Sequence, residues 1–232
     1  MNDTLKKNII SQSNNAVPTL TFTEEHMGYL LTAYQSLRDL EKLLTIISGI
    51  DPENGILCNL RHMDRLIQDL SPLFDPSLDY EQQVYTKVLD DDSLSIPIKA
   101  HILLGTKEEW ESFNLEYTSS GSVTNPGSLP IPEAVSKHTA DFTVDNMVDL
   151  LIAYYGYYSL SEAIELFVGS YPSHKILMGL SYLDELVAQL SPLHHSEYDE
   201  DDIENAEYTK VLNSNDIGLA EKAQVLMSKT DS

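Results

Sequence analysis

The chain has 232 residues, of which 42% are hydrophobic and 22% are charged, which is the balance of an ordinary globular protein. Its 37 acidic and 14 basic residues give a net charge of −23, which disfavours direct binding to nucleic acid or anionic membranes and favours a basic partner. A single cysteine, no membrane-length apolar run and no signal-peptide core lead us to expect a cytoplasmic protein. The alternative, that the acidity only confers solubility, stays open.

An internal repeat is the most informative pattern in the chain. Residues 22–73 align with residues 142–193 at a constant offset of 120 and without a gap. After a three-residue insertion the offset becomes 123, and Tyr85–Leu89 matches Tyr208–Leu212. Such self-similarity predicts that one folding unit occurs twice.

The composition divides the chain into four segments. Residues 1–20 are predicted to be a flexible N-terminal arm, and residues 117–140, rich in Ser, Gly and Pro, a linker. The linker separates helical repeat 1 (21–116) from helical repeat 2 (141–232). The repeats either pack on each other as an intramolecular dimer or act as tethered modules, and the sequence leaves both open.

Each repeat is predicted to begin with a long helix, here called helix A. Thr23 and Thr143 are good N-cap residues, and acids follow each of them in the first turn. Apolar residues then recur at helical spacing until Gly49 or Gly169, which supply C-caps. The pattern therefore predicts helix A over roughly 24–48 and over the equivalent residues of the second repeat.

Three shorter helices are predicted after helix A. Helix B opens at Pro52 or Pro172, helix C covers about 81–89 and 204–212, and helix D covers about 97–105 and 219–227. No sustained alternation of β-branched residues occurs, so no strand is predicted. The fold class is all-α: a tandem duplication of a small bundle of about four helices, with pseudo-two-fold symmetry.

A set of polar residues occurs in both repeats. One interpretation is structural, because buried polar groups need partners, and a tyrosine hydroxyl with an Asp–Lys pair would hold the helices in register. The other interpretation is a duplicated polar pocket. The set is Tyr34, Asp64, Tyr85 and Lys87, with Tyr154, Asp184, Tyr208 and Lys210.

Two tyrosines are candidate partner-binding residues. Tyr155 and Tyr158 occupy the positions of Gln35 and Arg38, whose spacing places them on the solvent side of helix A. Exposed tyrosines are common anchors in protein interfaces. We therefore expect both to be exposed and to contact a partner or the other repeat.

An acidic stretch in the second repeat supplies the other partner-binding candidates. It follows His194 and His195 but has neither the glycine nor the closing glutamate of a calcium loop, so it is predicted to be a solvated loop. We predict no metal site and no cofactor. The acidic candidates are Asp199, Glu200, Asp201, Asp202 and Glu204.

The chain carries no phosphate-binding glycine loop and no nucleophile elbow, and the arrangement of its histidines indicates no site. The leading hypothesis is a non-enzymatic regulator, inhibitor or immunity-type factor that binds a basic protein surface. The alternatives are a nucleic-acid mimic that blocks a DNA-binding protein, a scaffold that bridges two subunits, and an enzyme with an unrecognised site. The scattered histidines, none with a histidine at its counterpart position, are His26, His62, His101, His138 and His174.

Overall fold

The computed structural model of the chain describes residues 18–49, 58–73, 84–106, 108, 138–169, 174–191 and 207–228. The described residues form eight helices and one two-stranded sheet, so the fold is all-α. In chain order the elements are β1 (Leu20–Thr23), α1 (Glu24–Ser48), α2 (Cys58–Leu70), α3 (Val84–Asp90), α4 (Ile96–Leu104), β2 (Thr139–Phe142), α5 (Val144–Val168), α6 (His174–Leu190), α7 (Glu207–Asn213) and α8 (Leu219–Met227).

The two long helices begin and end as local signals predict. The Thr23 hydroxyl accepts a hydrogen bond from the backbone of His26, whose ring accepts one from the backbone of Thr23, and Thr143 and Asn146 form the same reciprocal box. Such a box satisfies backbone donors that the first turn leaves without helical partners. Gly49 and Gly169 end the helices at φ values of 65° and 70°, a left-handed conformation that favours glycine.

The shorter helices also lie near their predicted positions. α3 and α7 begin three residues after the predicted start of helix C, and α4 and α8 lie within one residue of helix D. The predicted openings of helix B at Pro52 and Pro172 fall outside the described residues. So do residues 1–17 and 117–137, which cover most of the predicted arm and linker.

A short antiparallel sheet corrects the prediction that the chain has no strand. Thr21 pairs with Asp141, and Phe22 pairs with Ala140. The rings of Phe22 and Phe142 stack with their centroids 5.8 Å apart, and both side chains are buried. Four residues are too few for alternation to predict a strand, and each strand is stable only through a partner about 120 positions away.

The long helices pack across the two halves of the chain. α1 makes its most extensive contact with α6, and α2 makes its most extensive contact with α5. Contacts within a half are smaller for these helices, although α1 also packs on α4 and α5 on α8. Buried apolar side chains of both halves consequently form one core, which includes Met27, Met63, Met147 and Tyr157. The halves therefore pack on each other rather than acting as tethered modules.

Each of these two crossings depends on one glycine. A Cβ atom at Gly179 of α6 would lie 2.5 Å from both the Ser36 Cβ of α1 and the Tyr157 hydroxyl, and a Cβ atom at Gly156 of α5 would overlap the amide of Asn59 on α2. Glycine is therefore required on one side of each crossing, because a larger side chain would separate the helices. None of the described helices is long and apolar enough to cross a membrane.

Candidate functional site

The polar set that occurs in both halves forms tyrosine–aspartate pairs. Tyr34 on α1 is hydrogen-bonded to Asp64 on α2, and Tyr154 on α5 is hydrogen-bonded to Asp184 on α6. Burial, with the Asp64 charge beside it, raises the pKa of Tyr34 well above its usual range. Burial also raises the pKa of Asp64, and the hydrogen bond from Tyr34 opposes that shift. Each pair thus connects the two successive helices of its half.

Of the remaining members of the set, the two tyrosines lie near these pairs and the two lysines face outward. Tyr85 is buried and Tyr208 is half-buried. Lys87 and Lys210 are exposed, and within the described part of the chain no ion pair joins either of them to Asp64 or Asp184. The carboxylate partners in the described structure are therefore tyrosine hydroxyls rather than the lysines that the sequence suggested.

Three members of the set line a cavity of about 280 Å³ in the first half. The Arg38 guanidinium lies 5.8 Å from the centre of the Tyr34 ring at this cavity, and the Thr86 hydroxyl is buried there without a hydrogen-bond partner in the described structure. The cavity offers hydrogen bonds to a small polar molecule but pairs no nucleophile with a base. Its lining residues are Tyr34, Arg38, Leu60, Asp64, Tyr85, Thr86, Leu89 and Asp90.

Tyr155 is half-buried rather than exposed, because its side chain packs against the end of α7. Its hydroxyl donates a hydrogen bond to the carbonyl of Leu212, and the Lys222 ammonium donates to the same carbonyl. The ammonium also lies 5.1 Å from the centre of the Tyr155 ring, a favourable cation–π position. Tyr155 therefore stabilises the contact between α5, α7 and α8, and little of it remains for a partner.

Tyr158 lies on an outward stripe of α5. Tyr158, Glu162 and Leu166 follow at four-residue spacing, which places them on one face, and the structure exposes 43% of Tyr158 and 86% of Leu166. We call these three residues the α5 stripe. Its apolar and aromatic side chains flank a carboxylate.

The corresponding face of α1 has the opposite charge. Arg38, Lys42 and Ile46 occupy the positions 120 residues before the α5 stripe, and we call them the α1 stripe. Ile46 is 79% exposed, and Lys42 lies 3.9 Å from the carboxylate of exposed Asp39. The two stripes therefore share an exposed apolar end but differ in charge and in the aromatic residue.

The acidic candidates Asp199, Glu200, Asp201, Asp202 and Glu204 lie outside the described residues. Acidity nevertheless extends onto the described surface of the second half. β2 and α5 together contain Asp141, Asp145, Asp149, Glu162 and Glu165 and no lysine or arginine. Asp141, Asp145 and Glu162 are exposed, whereas Asp149 is buried and paired with Arg65 of α2, so the negative surface charge lies near the two ends of α5.

A second cluster joins three residues that sequence reasoning left apart. Glu24, His101 and His138 each offer a ligand atom, and these three atoms lie within 4.8 Å of one another. His101 Nδ1 lies 3.3 Å from Glu24 Oε1, and the backbone N–H of His138 donates to the same oxygen at 3.4 Å. The two imidazole rings are 5.1 Å apart. Of the groups in the described structure, this one has the donor chemistry of a metal site.

No signal in the sequence indicated this cluster. Its members come from the first turn of α1, the middle of α4 and the residue before β2, at separations of 77 and 114 positions from Glu24. Metal motifs are recognisable in sequence when ligands recur at short spacing on one element. Here the fold alone brings the three residues together.

Comparisons with known proteins give no relative for this chain: no protein-family model matches it, and no match was found among curated proteins or among solved structures.

Proposed function

We propose that this protein is a non-enzymatic, acidic interaction protein, a regulator or inhibitor that docks on a basic surface of a partner protein. The observation that carries the proposal is the α5 stripe, in which exposed Tyr158 and Leu166 flank Glu162 on an acidic helix. An apolar patch on the partner would complement the exposed aromatic and apolar side chains, and basic residues around that patch would complement the acidic ones.

Charge supports the choice of partner. A net charge of −23 steers positively charged surfaces toward the chain and repels nucleic acid. Long-range attraction of this kind raises association rates, whereas a few desolvated side chains hold the complex. Tyr158 and Leu166 are the side chains that would be desolvated on binding.

We infer further that the chain is a tandem duplication of a small helical bundle arranged with pseudo-two-fold symmetry. Its support is that contacts recur at the offsets of the sequence repeat. The contact between Ser36 and Gly179 and the one between Gly156 and Asn59 join positions that exchange under an offset of 120. In addition, Lys99 donates to the Leu89 carbonyl at 2.7 Å as Lys222 donates to that of Leu212, at an offset of 123.

The duplication makes the proposal easy to test, because α1 provides a natural control for α5. Exchanging Tyr158 and Glu162 for their counterparts gives Tyr158→Arg with Glu162→Lys. The reciprocal variant is Arg38→Tyr with Lys42→Glu. Tyr158, Glu162 and Lys42 are exposed, whereas Arg38 is half-buried beside the Tyr34 ring. The free energy of unfolding of both variants is therefore compared with that of the unmodified chain before binding is measured.

The experiment immobilises the full chain and these two variants, captures a basic protein from the source cell, and measures its affinity for all three. We expect the α5 variant to bind at least about tenfold more weakly, since one anchor is worth about 1.4 kcal/mol or more. The α1 variant should bind at least as tightly as the unmodified chain. Equal binding by all three proteins would contradict the proposal, and displacement of the partner by duplex DNA would favour a nucleic-acid mimic instead.

A further inference from the structure

We propose that Glu24, His101 and His138 form a binding site for one divalent transition-metal ion. The inference does not depend on the proposed partner, because the site lies on the first turn of α1, on α4 and before β2, away from the α5 stripe along the chain. Zinc is the ion whose chemistry fits it most simply.

The distances are compatible with coordination. A tetrahedral zinc ion with bonds of about 2.0–2.1 Å holds its donor atoms roughly 3.3 Å apart. His101 Nδ1 and Glu24 Oε1 are already 3.3 Å apart, and no two donor atoms of the set exceed 4.8 Å. Side-chain rotation alone can therefore bring the third donor into range.

The donor set selects the class of ion. Two imidazole nitrogens and one carboxylate oxygen suit zinc, iron, cobalt or nickel, whereas calcium and magnesium prefer oxygen ligands. The backbone N–H of His138 also bonds to Glu24 Oε1, so the carboxylate is held by a second hydrogen bond of the kind that orients metal ligands.

The environment leaves room for a further ligand. His138 is buried, but the side chains of His101 and Glu24 keep 30% and 36% of their surface exposed. Solvent can thus reach the outer side of the three donors, and a water molecule would complete the coordination. Three protein ligands and one open position are the arrangement of a zinc site that binds an exchangeable ligand.

The fold itself does not require these residues. At the equivalent corner of the second half, the counterparts of Glu24, His101 and His138 are Val144, Gln224 and Pro18. That corner forms the same strand, helix start and helix packing with no charged or imidazole group at those positions. A role in stability common to both halves therefore does not explain the cluster, whereas metal binding does.

The test measures zinc binding by the full chain after treatment with a chelator, by titration calorimetry and by the shift in thermal unfolding temperature. We expect one ion per chain and a higher unfolding temperature, because an ion that binds the folded state stabilises it. Glu24→Val and His101→Gln transplant the residues of the opposite corner. Each should weaken zinc binding at least about 100-fold, since even outer-shell partners of a metal contribute roughly 10–100-fold.

Two controls separate this site from other histidines. His26→Asn introduces the residue found at the counterpart Asn146 and should leave zinc binding unchanged. His194→Ala with His195→Ala removes the histidines beside the acidic stretch and should also leave it unchanged. The proposal is overturned if the chain binds no zinc at micromolar concentration, if Glu24→Val and His101→Gln bind as the unmodified chain does, or if the His194/His195 variant alone abolishes binding.

Discussion

His62 Nδ1 lies 2.5 Å from Asp149 Oδ1, and this contact joins α2 to α5. At the other long-helix crossing, which joins α1 to α6, the counterpart positions carry Tyr29 and Tyr182, whose rings are 5.3 Å apart. Exchanging the two halves at an offset of 120 converts one contact into the other. One crossing therefore carries a polar pair, and the other carries an aromatic pair at the positions related by this offset.

Removing the carboxylate of Asp149 should destabilise the protein. Asp149 is buried, and it also accepts a hydrogen bond from Arg65 at 3.2 Å, so Asp149→Ala leaves two donors without their acceptor. We expect a loss of about 1–3 kcal/mol in the free energy of unfolding, measured by urea denaturation. Asp145→Ala, one turn earlier and exposed, should change it by less than about 0.5 kcal/mol.

The crossing of α1 and α6 suggests a double variant that would restore part of the lost stability. His62→Tyr with Asp149→Tyr installs the tyrosine pair found at Tyr29 and Tyr182. We expect the double variant to lose less stability than the sum of its single variants, by roughly 0.5–1.5 kcal/mol, the range of an aromatic pair. Additive losses would show that the two crossings are not interchangeable and would count against the pseudo-two-fold arrangement.

The glycine at the crossing of α1 and α6 gives a second prediction. Alanine in a helix interior is normally more stable than glycine by about 0.5–1 kcal/mol. Gly179→Ala should instead destabilise the protein by about 1–3 kcal/mol, because its Cβ would press on Ser36 and on the Tyr157 hydroxyl.

Gly28 is the matched control for this substitution. It lies inside α1, and a Cβ there would meet nothing within 4 Å, so Gly28→Ala should raise the free energy of unfolding by about 0.5–1 kcal/mol. We expect the two substitutions to change the free energy of unfolding in opposite directions, in thermal and in urea denaturation alike. A stabilising Gly179→Ala would mean that the helices cross further apart than described.

Whether a feature could be predicted from the sequence depends on how far apart its interacting residues lie along the chain. The limits of α1 follow from Thr23, His26 and Gly49, which act within a few positions, and the repeat extends the same argument to α5. The strands could not be predicted in this way, because pairing of Phe22 with Ala140 depends on a partner across the chain. Packing of α1 on α6 is equally non-local.

The candidate sites follow the same division. Substitution of Tyr158 for Arg38 was a local clue to an outward position, and the structure exposes Tyr158. The same reasoning placed Tyr155 outward, but Lys222 and the Leu212 carbonyl attract its ring and hydroxyl. Their contact with α5 forms only when the chain folds, so the pattern of one helix could not reveal it.

Alkaline pH should destabilise the protein through its buried tyrosines. Burial raises the pKa of the Tyr157 hydroxyl well above the ordinary value of 10.0, and a hydrogen bond with Ser36 opposes the shift only in part. Above pH 10 the unfolded chain therefore loses a proton that the folded chain keeps. The free energy of unfolding then falls with rising pH, by up to about 1.4 kcal/mol per pH unit for one such group.

Tyr157→Phe removes this contribution, so its unfolding free energy should fall less steeply above pH 10 than that of the unmodified chain. Urea denaturation at several pH values between 9 and about 12 measures the two slopes. Tyr158→Phe, on the exposed side of the same helix, is measured beside it as the matched removal of one tyrosine hydroxyl. If Tyr157→Phe and the unmodified chain show the same slope, the Tyr157 hydroxyl titrates alike in the folded and unfolded states.

The acidic stretch should act on the rate of partner binding rather than on the lifetime of the complex. Asp199→Lys with Asp201→Lys is expected to lower the association rate by about tenfold at low salt, with a smaller effect on dissociation, because charges at the edge of an interface mainly steer encounter. Asp90→Lys with Asp92→Lys makes the same change in net charge at two exposed positions, the last residue of α3 and the second residue after it. Stopped-flow or surface-based kinetics over a range of salt concentrations would compare the two. A larger effect on the association rate at Asp199 and Asp201 means that the partner approaches this part of the second half. Equal effects of the two variants mean that net charge alone steers the partner. An unchanged association rate in both variants would remove acidity from the binding mechanism.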